Sequence, residues 1–372
     1  MVLIKTKRDT LLAPLQAVSG IVERRHTLPI LSNVLLEKKG DLLTLLATDI
    51  EIQITTSTTN ANGEGGNGAV TVGARKLQEI LRSLPESAEI SLVLEDKRLQ
   101  IKAGKSRFNL QTLPADDFPC MTLSDGESKK ITVPQNKFRR LLAQTLYSMA
   151  MQDVRYYLNG LLLIVDGDEL RAVATDGHRL AYATMPLEDE PAGAPRQELI
   201  VPRKTVIELN RLLSDSEEPL HIEILPTQVR FHFGNINLVS KLIDGRFPDY
   251  QRVIPESLRN VVSVNRVTLL QSMIRAAILT NEKFRGVRLI LAENSLKIVA
   301  ANAEQEEAQE EIEVAYDGEP LDVGFNVSYL LDVLNNTADE TIEWGFNDAN
   351  SSALLTLPGN ASFKYVVMPM RI

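Results

Sequence analysis

The sequence predicts an α+β chain of three similar units in series, each β-rich with two helices. Three observations predict it: strings recur at one-domain spacing, each recurrence carries two apolar stripes of helical period, and alternating or β-rich segments run between them. With 372 residues, 44% of them hydrophobic, the chain can bury two or three domain cores before any repeat is considered.

The repeat comes first, because missing it misreads the whole architecture. Leu43-Thr-Leu-Leu-Ala-Thr-Asp-Ile-Glu51 returns as Leu170-Arg-Ala-Val-Ala-Thr-Asp-Gly-His178 and as Leu296-Lys-Ile-Val-Ala-Ala-Asn-Ala-Glu304, at steps of 127 and 126 residues. Asn33-Val-Leu-Leu, Gly160-Leu-Leu-Leu and Gly286-Val-Arg-Leu keep the same steps. The units end alike, at Phe108–Pro119, Leu238–Pro248 and Phe363–Met370. Domains over 1–126, 127–254 and 255–372 follow, each of ordinary domain size.

Each unit opens on a helix with apolar residues three and four apart, the mark of one buried stripe. These are Arg8–Val22 with Leu11, Leu12, Leu15 and Val18, Gln135–Met149 with Phe138, Leu141, Leu142 and Leu146, and Asn265–Leu279 with Val267, Leu270, Ile274 and Ala277. Second helices are expected over Ala74–Leu84, Arg203–Leu213 and Val327–Asn336. Pro134 and Pro202 stand where helices begin, and Asp9 and Asn136 are candidate caps. Leu42–Thr55, Glu89–Leu94, Glu169–Met185, His221–Phe233 and Ser295–Val314 read as strand-bearing segments.

Several function classes fall away. Cys120 is the only cysteine, and with four scattered histidines it leaves no Cys/His cluster for structural zinc. No apolar run is long enough to span a bilayer and the N-terminus lacks the apolar core of a secretion signal, so a cytoplasmic protein is expected. Gly63-Glu-Gly-Gly-Asn-Gly68 spells a dinucleotide fingerprint, but it follows a polar run and precedes a strand-like stretch; a hairpin tip is the better reading. Thr175-Asp-Gly-His-Arg179 gathers a carboxylate and an imidazole, yet Thr48-Asp-Ile-Glu51 and Ala301-Asn-Ala-Glu304 occupy the same place in the other repeats. Asp176 therefore reads as a turn residue, with His178 and Arg179 open. The run Glu304, Glu306, Glu307, Glu310, Glu311, Glu313 lacks the spacing of a calcium loop and reads as a solvated or partner-facing edge. Nucleophile elbows, zinc-protease and Walker motifs are absent.

The net charge of −9 argues at first against a polyanionic partner. The distribution argues the other way. Segments 8–25, 73–84, 135–155, 202–213, 265–279 and 326–337 together hold fifteen Lys/Arg against six acids, so about a quarter of the chain carries +9 and the rest −18. Basic residues can simply decorate solvated helix faces, but in so acidic a protein their concentration on helices points to a shared face with affinity for phosphates.

The strings Asp153-Val-Arg-Tyr-Tyr-Leu-Asn-Gly160, Ala174-Thr-Asp-Gly-His-Arg-Leu180, Asp244-Gly-Arg-Phe-Pro-Asp-Tyr250, Asn281-Glu-Lys-Phe-Arg-Gly-Val-Arg288, Gly324-Phe-Asn-Val-Ser-Tyr329 and Tyr365-Val-Val-Met-Pro-Met-Arg371 resemble the bacterial DNA polymerase III β subunit family, the sliding clamps, over the whole chain. The resemblance implies three clamp domains of two helices and antiparallel sheets, joined head to tail as a ring-shaped homodimer with helices lining the pore. It implies a non-catalytic processivity factor without cofactor or metal. Its partners would be double-stranded DNA, the polymerase III catalytic subunit, the clamp loader, and other polymerases and repair proteins carrying short clamp-binding peptides. Helices packed about 10 Å apart give six of them a bore of about 9 Å and twelve a bore of about 28 Å. Only twelve admit a duplex roughly 20 Å across, so two subunits are needed.

By the same resemblance, DNA contact falls on Arg25, Gln152, Tyr156, Tyr157, Lys204, Arg75 and Lys76, with core packing the alternative for one of the two tyrosines. A peptide pocket would comprise Leu158, Thr175, Gly177, His178, Arg179, Leu180, Pro248, Arg252, Val253, Phe284, Asn326, Tyr329, Ser352, Val366, Val367, Met368, Pro369, Met370 and Arg371. The chain ends in Ile372 where a leucine is common, and Ala349-Asn350 departs from the usual small, apolar pattern. The dimer contact would set Lys105, Arg107 and Phe108 against Ile278, Leu279, Glu304, Glu306, Glu307 and Glu310. The competing classes, a DNA-cleaving enzyme and a metabolic enzyme built from repeats, would need a magnesium-holding carboxylate cluster or a small-molecule site; no such carboxylate cluster stands out in the sequence.

Overall fold

The computed structural model describes all residues except 24–27, 60–64, 125 and 189–194. By contact density the chain divides into two units, Met1–Asn136 with Ile207–Leu242, and Lys137–Val206 with Ile243–Ile372. The central repeat therefore gives strands to both.

The first unit holds a 12-stranded antiparallel sheet in the order Val2–Lys7, Glu89–Glu95, Arg98–Ala103, Ser106–Leu113, Gly68–Gly73, Asn33–Lys39, Leu42–Thr48, Ile52–Thr59, Ile236–Lys241, Gln228–Phe233, Pro219–Ile224, Lys129–Pro134. The second holds an 8-stranded sheet, Gln197–Pro202, Gly160–Asp166, Glu169–Thr175, Arg179–Pro186, Asn360–Val367, Ala353–Leu357, Thr341–Phe346, Asn260–Asn265, and a 4-stranded sheet, Glu307–Glu313, Ser295–Ala301, Gly286–Ala292, Leu321–Asn326. Strands of successive repeats pair directly, Ile236–Lys241 on Ile52–Thr59 and Asn360–Val367 on Arg179–Pro186. Backbone hydrogen bonds thus run unbroken across the repeat boundaries, where a loop linker would leave two sheet edges open.

Among the described residues six α-helices accompany the sheets: α1 Arg8–Ser19, α2 Ala74–Ser83, α3 Gln135–Ala143, α4 Arg203–Leu212, α5 Arg266–Ala277 and α6 Val327–Asn335. The stripes expected on α1 and α3 are buried, Leu11, Leu12, Leu15 and Val18 on the first and Phe138, Leu141 and Leu142 on the second. On α5 the buried face is shifted by one residue: Leu269, Met273, Ala276 and Ala277 meet the core while Val267 and Ile274 are exposed. The segment expected to be helical to Met149 stops at Ala143, because Thr145 tightens the chain to i→i+3 pairing, its N–H donating to Leu142 O at 3.0 Å before a 3₁₀ turn at Leu146–Ser148. The caps also differ from expectation. Asp9 and Asn136 lie inside α1 and α3, whereas Asn265 and Asn326 accept from the N–H groups of Thr268 and Ser328 and so cap α5 and α6.

The long strand-bearing segments are mostly hairpins, and their turns repeat. Asp49 Oδ1 accepts from the N–H groups of Glu51 and Ile52, Asp176 Oδ1 from His178 and Arg179, and Asn302 Oδ1 from Glu304 and Glu306. A short side-chain acceptor at that position turns the strand back, which is why all three repeats keep Asp or Asn there. The glycine-rich stretch is no hairpin tip. The strands flanking it, Ile52–Thr59 and Gly68–Gly73, are not neighbours in the sheet, so the connection crosses over two strands; its residues 63 and 64 lie outside the described residues. A strand follows it where a phosphate loop would need a helix.

Candidate functional site

The second unit contains a cavity of about 180 Å³ lined by Arg155, Leu158, Thr175, Gly177, His178, Arg179, Leu180, Pro248, Asp249, Tyr250, Val253, Ser352, Val366 and Met368. Its floor is apolar core: Leu158, Leu180, Tyr250, Leu354 and Val366 are buried in one cluster with Phe247 and Ile200. Its rim is the Asp176 turn, the 3₁₀ turn Tyr250–Val253 and the end of the strand Asn360–Val367. Strand pairing sets the register, with Leu180 opposite Val366 and Arg179 opposite Val367. Alternation along the strand turns Val366 to the groove and leaves Val367 fully buried outside it.

Arg179 fastens the turn to the rest of the unit. Its guanidinium donates to Asp176 Oδ2 (3.0 Å), Asp332 Oδ2 on α6 (2.6 Å) and the carbonyl of Tyr147 (2.7 Å), and lies 4.4 Å from the centre of the Tyr329 ring. Burial works against the cation, but Tyr365, Asp332 and Asp176 outweigh it and hold the charge more firmly than usual. Burial likewise pushes the Tyr365 and Tyr147 phenols up, so both stay neutral, and the Tyr365 hydroxyl donates to Tyr329 O at 2.9 Å. Tyr329 stacks on His178 at 6.5 Å, and its phenol is raised chiefly by burial and then by Asp176.

Arg155 closes the other side. It is held by Asp153, whose carboxyl is lowered to about 2 by hydrogen bonds from the Arg155 side chain and backbone. The pair therefore survives throughout the neutral range. Gly177 lies beneath it with φ +90, and a Cβ there would come within 3.0 Å of the guanidinium. Glycine is required both for the backbone and for the fit.

The expected pocket residues sort into three groups. Leu158, Thr175, Gly177, His178, Arg179, Leu180, Pro248, Val253, Ser352, Val366 and Met368 line the cavity. Asn326, Tyr329 and Met370 brace its surroundings, since Asn326 caps α6, Tyr329 stacks on His178, and Met370 N–H donates to Gly324 O at 2.8 Å. Ile372 rests on the glycine gap nearby, where a Cβ at Gly324 would meet it at 2.7 Å. Arg252, Phe284, Val367, Pro369 and Arg371 do not line the cavity; Arg252 pairs with Asp249 at 2.8 Å, Phe284 is exposed, and Val367 is buried on the other face of its strand. Arg155, Asp249 and Tyr250 were missed, although all three stand within the strings that carry the family resemblance.

Of the expected DNA contacts, Arg25 lies outside the described residues. Arg75 and Lys76 are exposed in the first turn of α2, Lys204 is half-buried in the first turn of α4, and Gln152 is exposed with a φ of 55. Tyr156 and Tyr157 meet edge to face at 5.8 Å. Tyr157 packs against the buried cluster while Tyr156 is exposed, so core packing holds for Tyr157.

The expected contact residues between copies lie at strand edges and the turns beside them, except Ile278 and the half-buried Leu279, which follow the end of α5. Lys105 and Arg107 are exposed and Phe108 half-buried at the start of the strand Ser106–Leu113, which has a second neighbour only at Thr112 and Leu113. Glu307 and Glu310 are on the edge strand Glu307–Glu313, and Glu304 and Glu306 are exposed in the turn before it. Arg275 of α5 donates to Glu310 at 2.9 Å, and Ile278 beyond the same helix is 73% exposed.

Family models for the DNA polymerase III beta subunit match the chain three times, as N-terminal domain over residues 2–122, central domain over 132–249 and C-terminal domain over 251–371. The chain is 49% identical to a beta sliding clamp of Pseudomonas putida and 48% to that of Escherichia coli K12, in each case over 98% of this chain and 99% of the relative. It is similar to a crystal structure of the DNA polymerase sliding clamp of Pseudomonas aeruginosa, with TM-score 0.92, 46% identity and full coverage of both chains. A Caulobacter crescentus beta sliding clamp structure matches at TM-score 0.92 and 42% identity, covering 100% of this chain and 99% of that one. Three domain models in series and relatives about half identical over nearly the whole length show one family: the chain is a member of the DNA polymerase III beta subunit family.

Proposed function

We propose that two copies of the chain close head to tail into a ring around duplex DNA and act as a processivity factor. The ring tethers the DNA polymerase III catalytic subunit, the clamp loader and other replication and repair proteins through short peptides laid in the groove beside Arg179. The observation that carries the DNA reading is the two-sidedness of the helices. Their apolar stripes are buried, while Arg75, Lys76, Arg82, Arg139 and Arg140 stay exposed with no ion pair among the described residues. Charges left free in this way attract phosphates without reading bases, and a protein that must slide gains nothing from base contacts. The chain itself is read as non-catalytic, divided at 1–126, 127–254 and 255–372.

The groove fits a peptide for a physical reason. An apolar floor takes aliphatic or aromatic anchors, Met368 adapts to their shape, and the fixed polar rim orients the backbone. Ring closure is supported by two strand edges of opposite charge: the unpaired start of Ser106–Leu113, with Lys105 and Arg107, and the acidic edge Glu307–Glu313. Such edges invite pairing with another chain, and a heterologous contact of this kind closes into a ring.

Loading the protein with its clamp loader on nicked circular DNA tests the whole reading. It is expected to stay bound through gel filtration and to be released when the circle is cut once. Release that does not depend on linearisation would sink the topological account. Affinity of the unloaded protein for DNA should fall steeply with added salt, since it rests on phosphates alone.

A further inference from the structure

We propose that the exposed face of the 12-stranded sheet carries a site for one divalent transition-metal ion, held by His221 and His232. The two are far enough apart in sequence to look unrelated. The hairpin brings them together: His221 on Pro219–Ile224 stands directly opposite His232 on Gln228–Phe233, and the rings stack 6.1 Å apart at 16°. Leu220 and Ile222 on one strand and Val229 and Phe231 on the other are buried, so alternation turns both imidazoles to solvent.

Their neighbours prepare them for a ligand. Thr132, opposite His221 on the next strand, has its Oγ1 3.0 Å from His221 Nδ1. In the tautomer whose Nδ1–H donates to Thr132 Oγ1 the ring is fixed and Nε2 is left for a metal, the arrangement usual around metal-binding histidines. Asn237 flanks His232 on the far side, and the row opens into a cavity of about 460 Å³. Glu223 is not a ligand, because Lys130, Arg230 and Ser128 already engage it.

Two nitrogens on one tetrahedral ion, each about 2.0–2.1 Å from it, sit about 3.4 Å apart. Stacked rings hold their in-plane lone pairs side by side, so both exposed imidazoles must turn about their side-chain torsions to converge on the ion. Imidazole pairs select zinc, nickel or copper over magnesium and calcium. Among the described residues no cluster of three or more His, Cys, Asp or Glu gathers around an ion, so water would complete the coordination. The result is an exchangeable surface site with positions open to a ligating side chain of another molecule.

Titrating the untagged full-length protein with Zn²⁺ by calorimetry tests the proposal. One ion per chain is expected. His232→Phe, which keeps an aromatic ring against His221 but removes the nitrogens, should weaken binding at least tenfold, as should His221→Asn; Thr132→Val should cost less. Circular dichroism checks that the variants fold. In NMR spectra the resonances of both imidazoles should move together on adding Zn²⁺. No uptake by the parent protein at about 1 mM Zn²⁺, unchanged affinity in folded His221 and His232 variants, or shifts confined to other histidines would each overturn it.

Discussion

Replacing Arg179 by alanine is expected to destabilise the second unit by about 3 kcal/mol and to abolish peptide binding in the groove. The guanidinium side chain is only 9% exposed and serves three acceptors on three different segments: the Asp176 turn, the Tyr147 carbonyl and Asp332 of α6. Removing one member of a buried charged network costs about 3–5 kcal/mol, because what remains is desolvated and unpaired. Asp332 is 43% exposed and recovers water, which places the expected cost at the lower end. The same deletion frees the turn that presents His178 and Gly177 to the groove, so affinity falls with stability. Arg179→Lys should recover part of the stability and little of the binding, since one ammonium cannot span three acceptors in a fixed plane. Trp344, the only tryptophan, is buried in the same 8-stranded sheet as Arg179, so its fluorescence reports unfolding of this unit in urea. A midpoint lower by about 1 M is expected for alanine. Parent-like midpoint and peptide affinity would remove Arg179 from its role.

The three-fold repeat was legible because each unit must bury similar stripes and turn at the same places. Asp49, Asp176 and Asn302 show why: a turn that recruits a side-chain oxygen leaves a mark in sequence. Helix starts were legible to within a residue or so, helix ends less so, since Thr145 ends α3 by hydrogen bonds that apolar spacing does not record. The caps expected at Asp9 and Asn136 fall at the second residue of their helices, which begin where Arg8 N–H donates to Ala88 O and Gln135 N–H to Glu218 O. What periodicity could not reveal is strand order. The crossover of the glycine-rich stretch, the two-unit grouping and the meeting of His221 with His232 all depend on which strands pair. The groove itself was legible only through long matching strings. Its lining comes from five stretches of chain, and no local pattern announces that Leu158, Leu180 and Val366 share a floor.

Changing Ile278 to aspartate is expected to leave the chain folded and to destroy the ring. Ile278 is 73% exposed just past the end of α5, whose own core contacts are made by Leu269, Met273, Ala276 and Ala277. An exposed apolar side chain contributes little to the isolated chain, so a charge there is tolerated. At a contact between copies the same change removes an apolar anchor and puts a desolvated carboxylate in its place, at about 3 kcal/mol per contact. A two-membered head-to-tail ring contains that contact twice. The losses combine to about 6 kcal/mol, a dissociation constant raised about 10⁴-fold. Sedimentation equilibrium over a dilution series should show monomer where the parent is dimer, and the variant should not be retained on nicked circles. Glu310→Ala supplies the contrast. Arg275 already engages that carboxylate within the chain, so its removal frees a cation at the rim and should change dimer affinity by less than about 1 kcal/mol, most visibly at low salt. If Ile278→Asp sediments as a dimer while Glu310→Ala dissociates, charge rather than apolar contact closes the ring, and the edge Glu307–Glu313 must be what the partner's Lys105 and Arg107 hold.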